Sequence, residues 1–148
     1  MILSGVRIPI AVRLDDLDTN GHVRGAAYVL YADNARWKLV QAAGVDIDEL
    51  RERAVGPVNL RTTIDFHAEL RMYDTVEVET EWYWSGGRTT RVVQRLWSGD
   101  GDVLAAVVES VSGLLDLTTR RLVADPGSVW RALATRPELL GLSSGDGG

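Results

Sequence analysis

Residues 13–27 read Arg13-Leu-Asp-Asp-Leu-Asp-Thr-Asn-Gly-His-Val-Arg-Gly-Ala-Ala27, a polar junction between two segments of different periodicity. Upstream, Val6, Ile8, Ile10, Val12 and Leu14 alternate with other residues at period two, the pattern of a half-buried strand. Pro9 inside that run predicts an edge or irregular entry, because proline has no N–H to offer a neighbouring strand. Residues 15–21 carry turn chemistry. Downstream, residues 25–43 contain no proline and no glycine after the first position. Ala27, Tyr28, Tyr31, Ala35, Leu39 and Ala42 recur at threes and fours, which predicts one long helix with an apolar stripe. Gly44 is placed to cap its end.

Working outward, a short second helix is expected over 46–53, with Asp46 or Asp48 as its N-cap. After Gly56-Pro57 the pattern turns to β. Strands are expected over 58–70, 76–84, 89–97 and 103–117, the last the longest and most apolar. Val76, Val78, Thr80, Trp82 and Trp84 alternate strictly with Glu77, Glu79 and Glu81 in the second of these. Turns fall at 72–74, 85–88, 98–102 and 118–121, and a short helix at 129–134. One domain is expected over 1–141, followed by a frayed tail at 142–148. A single amphipathic helix cannot cover a large sheet from outside. The economical solution is α+β, a curved antiparallel sheet of five to six strands wrapped around one long central helix.

Composition narrows the class. The chain has 148 residues, 45% hydrophobic and 25% charged, which is ordinary for a globular domain able to bury a core without staples. It has no cysteine, so thiolate nucleophiles and cysteine-ligated metals are excluded, and a reducing cytoplasmic setting fits. The first residues lack a signal-peptide pattern, and no apolar run approaches the roughly 20 residues of a membrane span. A net charge of −5 argues against a nucleic-acid binder. No metal site is expected.

The junction holds the candidate chemistry. A helix N-terminus presents unpaired N–H groups and partial positive charge, which stabilise an oxygen that becomes negative during attack on a carbonyl. With the helix starting at Gly25, that N–H is the natural donor, and the missing side chain lets a substrate come close. Asp18 is then a candidate nucleophile or general base. Asn20 and His22 supply polar groups to orient a water or a carbonyl. Plainer readings stand beside these. Asp-Thr-Asn-Gly is a common turn sequence, an Asp before a helix is often only a cap, and a lone His is more often a structural hydrogen bonder.

The motif Asp18-x-Asn20-Gly21-His22-Val23, with Tyr28 six residues after the His and a helix ending near Ala-Arg36, resembles the hotdog-fold thioesterases. The likeness is to the 4-hydroxybenzoyl-CoA thioesterase-like group and, over Asp16-Leu-Asp-Thr-Asn-Gly-His-Val23, to acyl-ACP thioesterases. It extends to Ile64-Asp-Phe-His-Ala-Glu-Leu-Arg-Met-Tyr-Asp-Thr-Val-Glu-Val78 and covers roughly residues 6–125. The resemblance implies a helix wrapped by a sheet and a homodimer with sheets joined edge to edge, often a tetramer, with active sites at the dimer interface. It implies hydrolysis of an acyl-CoA or acyl-carrier-protein thioester, with coenzyme A or phosphopantetheine present only as part of the substrate. Asp18 matches the catalytic carboxylate, Gly25 the N–H that polarises the carbonyl, and Asn20 and His22 the polar pair of the acyl-ACP branch. One departure is clear: two Asn usually follow His-Val, and here Arg24-Gly25 does. That change also leaves room for a hotdog protein that binds an acyl or aromatic ligand, or serves assembly, without hydrolysis.

Further substrate contacts are expected from Arg24, toward a phosphate or pantetheine arm, and from Tyr28. Trp82, Trp84 and Trp97 flank the hairpin at Gly86-Gly87, as acyl-pocket walls, interface residues or packing. Arg88, Arg91 and Arg95 are candidates for coenzyme A phosphates or an acidic carrier protein. The alternative is pairing with Glu77, Glu79 and Glu81 on the adjacent strand.

Overall fold

The computed structural model describes residues 6–98 and 100–143. Its axis is α1 (Gly25–Ala42), which runs along the inner face of an antiparallel sheet. The close approach is made by small side chains. Ala27, Ala32, Ala35 and Ala43 are buried together with Tyr28, Tyr31 and Leu39. Gly44 ends the helix with φ +88°, where any Cβ would strike the Thr135 hydroxyl. That hydroxyl and the Arg136 N–H both donate to Ala43 O, at 3.2 and 2.9 Å, so the helix end is tied to the C-terminal segment.

The strands are β1 (Arg7–Ala11), β2 (Val55–Phe66), β3 (Thr75–Trp84), β4 (Thr89–Ser98), β5 (Val103–Asp116) and β6 (Arg121–Leu122). They lie in the order β1-β3-β4-β5-β2, with β6 pairing the end of β5. Two irregularities, at Asn59/Arg61 in β2 and Leu96/Trp97 in β4, break the register, as bulges that bend strands do. The sheet curls into a half-barrel around α1, which is the hotdog architecture. In β3 the alternation is realised: Val76, Val78, Thr80 and Trp82 turn inward and the glutamates outward.

Two apolar clusters share α1. The first joins Tyr28, Tyr31 and Ala35 to Leu70, Val76, Val78 and Leu96. The second joins Leu39 and Val40 to Trp82, Val92 and Leu114, with α3 (Pro126–Leu133) and a 3-10 segment (Pro137–Leu140) closing over it. Between them Gln94, fully buried, donates to Ala32 O at 2.8 Å and to the Thr80 hydroxyl at 3.1 Å. The short helix α2 (Ile47–Glu52) is capped by Asp46, whose carboxylate takes the Asp48 N–H.

Several boundaries differ from the sequence reading. The first strand stops at Ala11, and Leu14 is exposed in a 3-10 turn (Leu14–Asp16), because the chain must bend there to reach the helix. β2 begins at Val55, before Pro57, and ends at Phe66. Proline is tolerated because β2 is an edge strand, paired only with β5. The last helix starts at Pro126, and the expected turn at 118–121 runs into β6. Leu142, expected to open the frayed tail, is buried in the second cluster, while residues 144–148 lie outside the described residues. Among the described residues no helix is long and apolar enough to cross a membrane.

Ala35 has no exposed surface, so a larger side chain there must push α1 off the sheet. Ala35→Leu is expected to cost about 1–3 kcal/mol, read as a lower urea midpoint at unchanged slope.

Candidate active site

The loop before α1 is stitched in place by backbone bonds. Asp18 N–H donates to His22 O at 2.8 Å and Gly21 N–H to Asp18 O at 3.1 Å, closing a tight turn. Gly21 takes φ +77° within it. Val23 N–H donates to Leu70 O at 2.8 Å, so the loop is anchored on the segment leading into β3. Arg24 N–H reaches back to Asp16 O at 2.8 Å.

Asp18 is exposed, and one of its carboxylate oxygens accepts the Asn20 N–H at 2.8 Å and the His22 N–H at 3.1 Å. The His22 bond, then that from Asn20, holds its carboxyl below the usual aspartate value by favouring the charged form. The first position of α1 is Gly25, preceded by Arg24, which gives no side-chain cap. The Gly25 N–H has neither an intrahelical acceptor nor a capping side chain. A Cβ at Gly25 would sit 3.3 Å from the Phe66 ring. Phe66 thus roofs the helix start; it is more than half exposed, and Tyr28 meets it edge-on with ring centroids 5.0 Å apart.

The other proposed residues fall into two groups. His22 belongs to the loop, but its Nε2 faces Glu69 at 3.3 Å rather than Asp18. Asn20 contributes its backbone N–H to the Asp18 turn. Arg24 bonds Asp15 O at 2.7 Å, so its guanidinium braces the loop. Tyr28 is buried, with its hydroxyl accepting the Leu70 N–H at 3.2 Å, and stands behind Phe66.

Trp82, Arg88 and Arg91 lie elsewhere within the protomer. Arg91 pairs with Tyr83 near the end of β3 that is opposite the loop, and the length of that strand separates the two by about 25 Å. The guanidinium of Arg91 is bonded to Glu109, not to the β3 glutamates, and lies 4.6 Å over the Tyr83 ring. Arg95 does pair with β3, bonding Glu81 at 2.7 Å. Arg88 is exposed in the hairpin. Trp97 bonds Glu79 at 3.2 Å and carries Arg7 over its ring.

Trp82 lines a cavity of about 210 Å³ between the C-terminal half of α1 and the sheet. Arg36 also lines it, about three turns and 16 Å along α1 from Gly25.

Three residues escaped the sequence reading. Asp16 accepts the Tyr31 hydroxyl at 2.7 Å and the Arg13 N–H at 3.1 Å, clipping the loop to α1. Burial and the Asp16 carboxylate together push the Tyr31 hydroxyl well above the usual tyrosine value. Phe66 and Glu69 were visible only as members of the passage at 64–78. Their approach to the loop depends on the pairing of His22 with Arg71, a long-range register no local pattern announces.

The family model described as Thioesterase-like superfamily matches residues 12–133. The acyl-CoA thioester hydrolase YbgC of Escherichia coli O6:H1 is 26% identical over 98 residues, 66% of this chain and 73% of that protein. Among solved structures, SAV2348 of Staphylococcus aureus, determined in complex with CoA, superposes with a TM-score of 0.77 at 22% identity, covering 89% of this chain and 84% of that one. TT1821 of Thermus thermophilus gives 0.75 at 24% identity, covering 86% and 95%. The 12:0-ACP thioesterase of Umbellularia californica gives 0.73 at 22%, covering 86% and 48%. These structural likenesses establish the fold.

Two measurements check the local account. Removing the clip with Tyr31→Phe is expected to cost about 1.5–3 kcal/mol, the range for a hydrogen bond to a charged group, measured by chemical denaturation. The Asp18 carboxyl carbon, followed by NMR, should titrate with a midpoint below 3.8. A depressed folded value means that its contribution to stability is present above the unfolded value and lost as pH falls through the folded one.

Proposed function

We propose that this chain, which belongs to the thioesterase-like superfamily and is a thioester hydrolase, acts on an acyl-coenzyme A through Asp18 and the start of α1. The observation that carries the reading is the exposed Asp18 carboxylate, seven residues before a helix start whose first N–H has no acceptor among the described residues. The YbgC relatives support acyl-CoA as the substrate class. An acyl-carrier-protein thioester presents the same carbonyl and phosphopantetheine arm and is the comparison substrate.

In this mechanism the thioester carbonyl lies over Gly25, with its oxygen toward the free N–H. Charge developing on that oxygen is met by the N–H dipole and the helix field. Phe66 covers one side and shields the carbonyl from bulk water. The Asp18 carboxylate can attack the carbonyl directly or take a proton from an attacking water, and the direct route balances through an acyl–Asp18 anhydride. A carboxylate oxygen bonds to the carbonyl carbon, the C–S bond breaks, and the thiolate leaves and takes a proton from solvent. Water then cleaves the acyl–Asp18 anhydride, releasing the acid and restoring the carboxylate. No cofactor beyond the coenzyme A of the substrate is called for.

His22, through Glu69, and Arg24, through Asp15, act as positioning residues that hold the loop. A homodimer joined along the β2 edge suits the long, half-exposed edge strand with Leu60 and Phe66 at its surface. Trp82, Arg88 and Arg91, remote from Asp18 in one protomer, would then contact substrate only from the second one.

Asp18→Asn is expected to lower kcat/KM about 10²–10⁴-fold across acyl-CoA substrates, with folding and oligomeric state unchanged. Thiol release with a chromogenic reagent measures this. Near-normal turnover by the variant sinks the assignment, and a carrier-protein thioester hydrolysed well where no acyl-CoA is would move the substrate class.

A further inference from the structure

The cavity at the far end of α1 has a chemical character of its own. Four of the five tryptophans, Trp37, Trp82, Trp84 and Trp130, line it, with Val92 and Leu140 between them. At one side stands a single cation, Arg36, half-buried in the cavity wall. Its Nη1 donates to Asn59 Oδ1 at 3.0 Å and its Nη2 to Ser112 Oγ at 3.2 Å. Ser112 in turn donates to Asn59 Oδ1 at 2.7 Å, closing a triangle that fixes the guanidinium plane. Both acceptors are neutral. Among the described residues Arg36 makes no ion pair, although Asp33 lies one turn earlier and also lines the cavity.

A guanidinium has five N–H donors, and two are used here. Withdrawing a cation from water without an anionic partner is unfavourable, and desolvation pushes Arg36 below the usual arginine value against the opposing charge of Asp33. The planar fork matches a carboxylate in bidentate fashion. The tryptophan walls suit an apolar body and have no polar demand that Arg36 would meet. Trp84, for one, has its indole N–H bonded to Leu140 O at 2.7 Å, leaving the ring to pack.

We propose that this cavity binds the carboxylate of an apolar organic acid, with Arg36 as the anion partner and the tryptophans as walls for the hydrocarbon body. Such a carboxylate has two sources in thioester hydrolysis. It is the acid released by the reaction, or it is a second carboxylate at the far end of the acyl group. The site stands on the cavity and Arg36; only the choice of source rests on the hydrolase reading.

Octanoate and octanamide, which differ in charge and hardly in shape, test the site through tryptophan fluorescence of the full chain. Wild-type protein should bind octanoate at least about tenfold more tightly than the amide, as a charge-assisted pair implies. Arg36→Met should erase that preference, Arg36→Lys should keep part of it, and Asp33→Asn should tighten octanoate by removing a competing carboxylate. Equal binding of acid and amide by wild type, as expected if Arg36 is already paired across an oligomer interface, overturns the proposal without any variant. So does looser binding by Asp33→Asn.

For the source, kcat/KM for hexadecanedioyl-CoA and palmitoyl-CoA, whose chains are long enough to reach from Gly25 to Arg36, is compared in wild type and Arg36→Met. A preference for hexadecanedioyl-CoA that Arg36→Met abolishes assigns the site to the acyl group. Equal use of the two thioesters, with octanoate inhibition weakened by Arg36→Met, assigns it to the released acid. If no thioester is hydrolysed while octanoate still binds through Arg36, the functional reading falls and the carboxylate site stands. Hydrolysis abolished by Asp18→Asn, alongside no octanoate preference, leaves the opposite result.

Discussion

The close seating of α1 against the inner face of the sheet is the constraint from which the rest of the molecule follows. Alanines at 27, 32, 35 and 43 bring the helix backbone near the strands, and bulkier residues between them fill the two clusters on either side. Gln94 fixes the depth of that seating, because its amide spans from a helix carbonyl to a β3 hydroxyl. A buried amide is stable only with partners, so the contact also specifies rotation and register of the helix. Once α1 is fixed, both of its ends become defined places in the sheet's concavity.

At the N-terminal end, the loop carrying Asp18 is held by three independent ties. Asp16 reaches the helix through Tyr31, Val23 reaches the segment before β3, and Arg24 folds back on the loop itself. None of these groups needs to touch a ligand to shape the loop. They set the carboxylate relative to the Gly25 N–H, and helix-terminal electrostatics fall off within a turn. Arg24 and Gly25 divide the labour at this junction: the guanidinium braces the loop, and the glycine leaves room for Phe66 over the helix start.

At the other end, the same helix presents Arg36 to an aromatic cavity. Two electrostatically distinct places thus sit on one helix, an anion-stabilising N-terminus and a fixed cation about three turns on. Polar and aromatic groups on the outer face of the sheet behave differently. Arg91 and Arg95 are satisfied by Glu109 and Glu81, and Trp97 by Glu79. Those residues are spent on cross-strand pairing, which is the local chemistry of a half-exposed sheet face.

The order of one strand, one long helix and then consecutive strands was legible because hydrophobic periodicity is a short-range property. Residues 25–43 and 76–84 announce their own conformation, and β3 turns its faces as its alternation says. The Asp18–Gly25 junction was legible for the same reason: a turn motif and a helix start are neighbours in the chain. Where the strands start and end was less so, since Pro57 disrupts a strand only if both its sides are paired, and edge position is a property of the whole sheet. The Asp16–Tyr31 clip, the Phe66 roof, the turn of His22 toward Glu69 and the holding of the Arg36 guanidinium by Asn59 and Ser112 were not written in any window of sequence. Each joins residues brought together by strand register or helix rotation, and those are fixed by side-chain packing over the entire core.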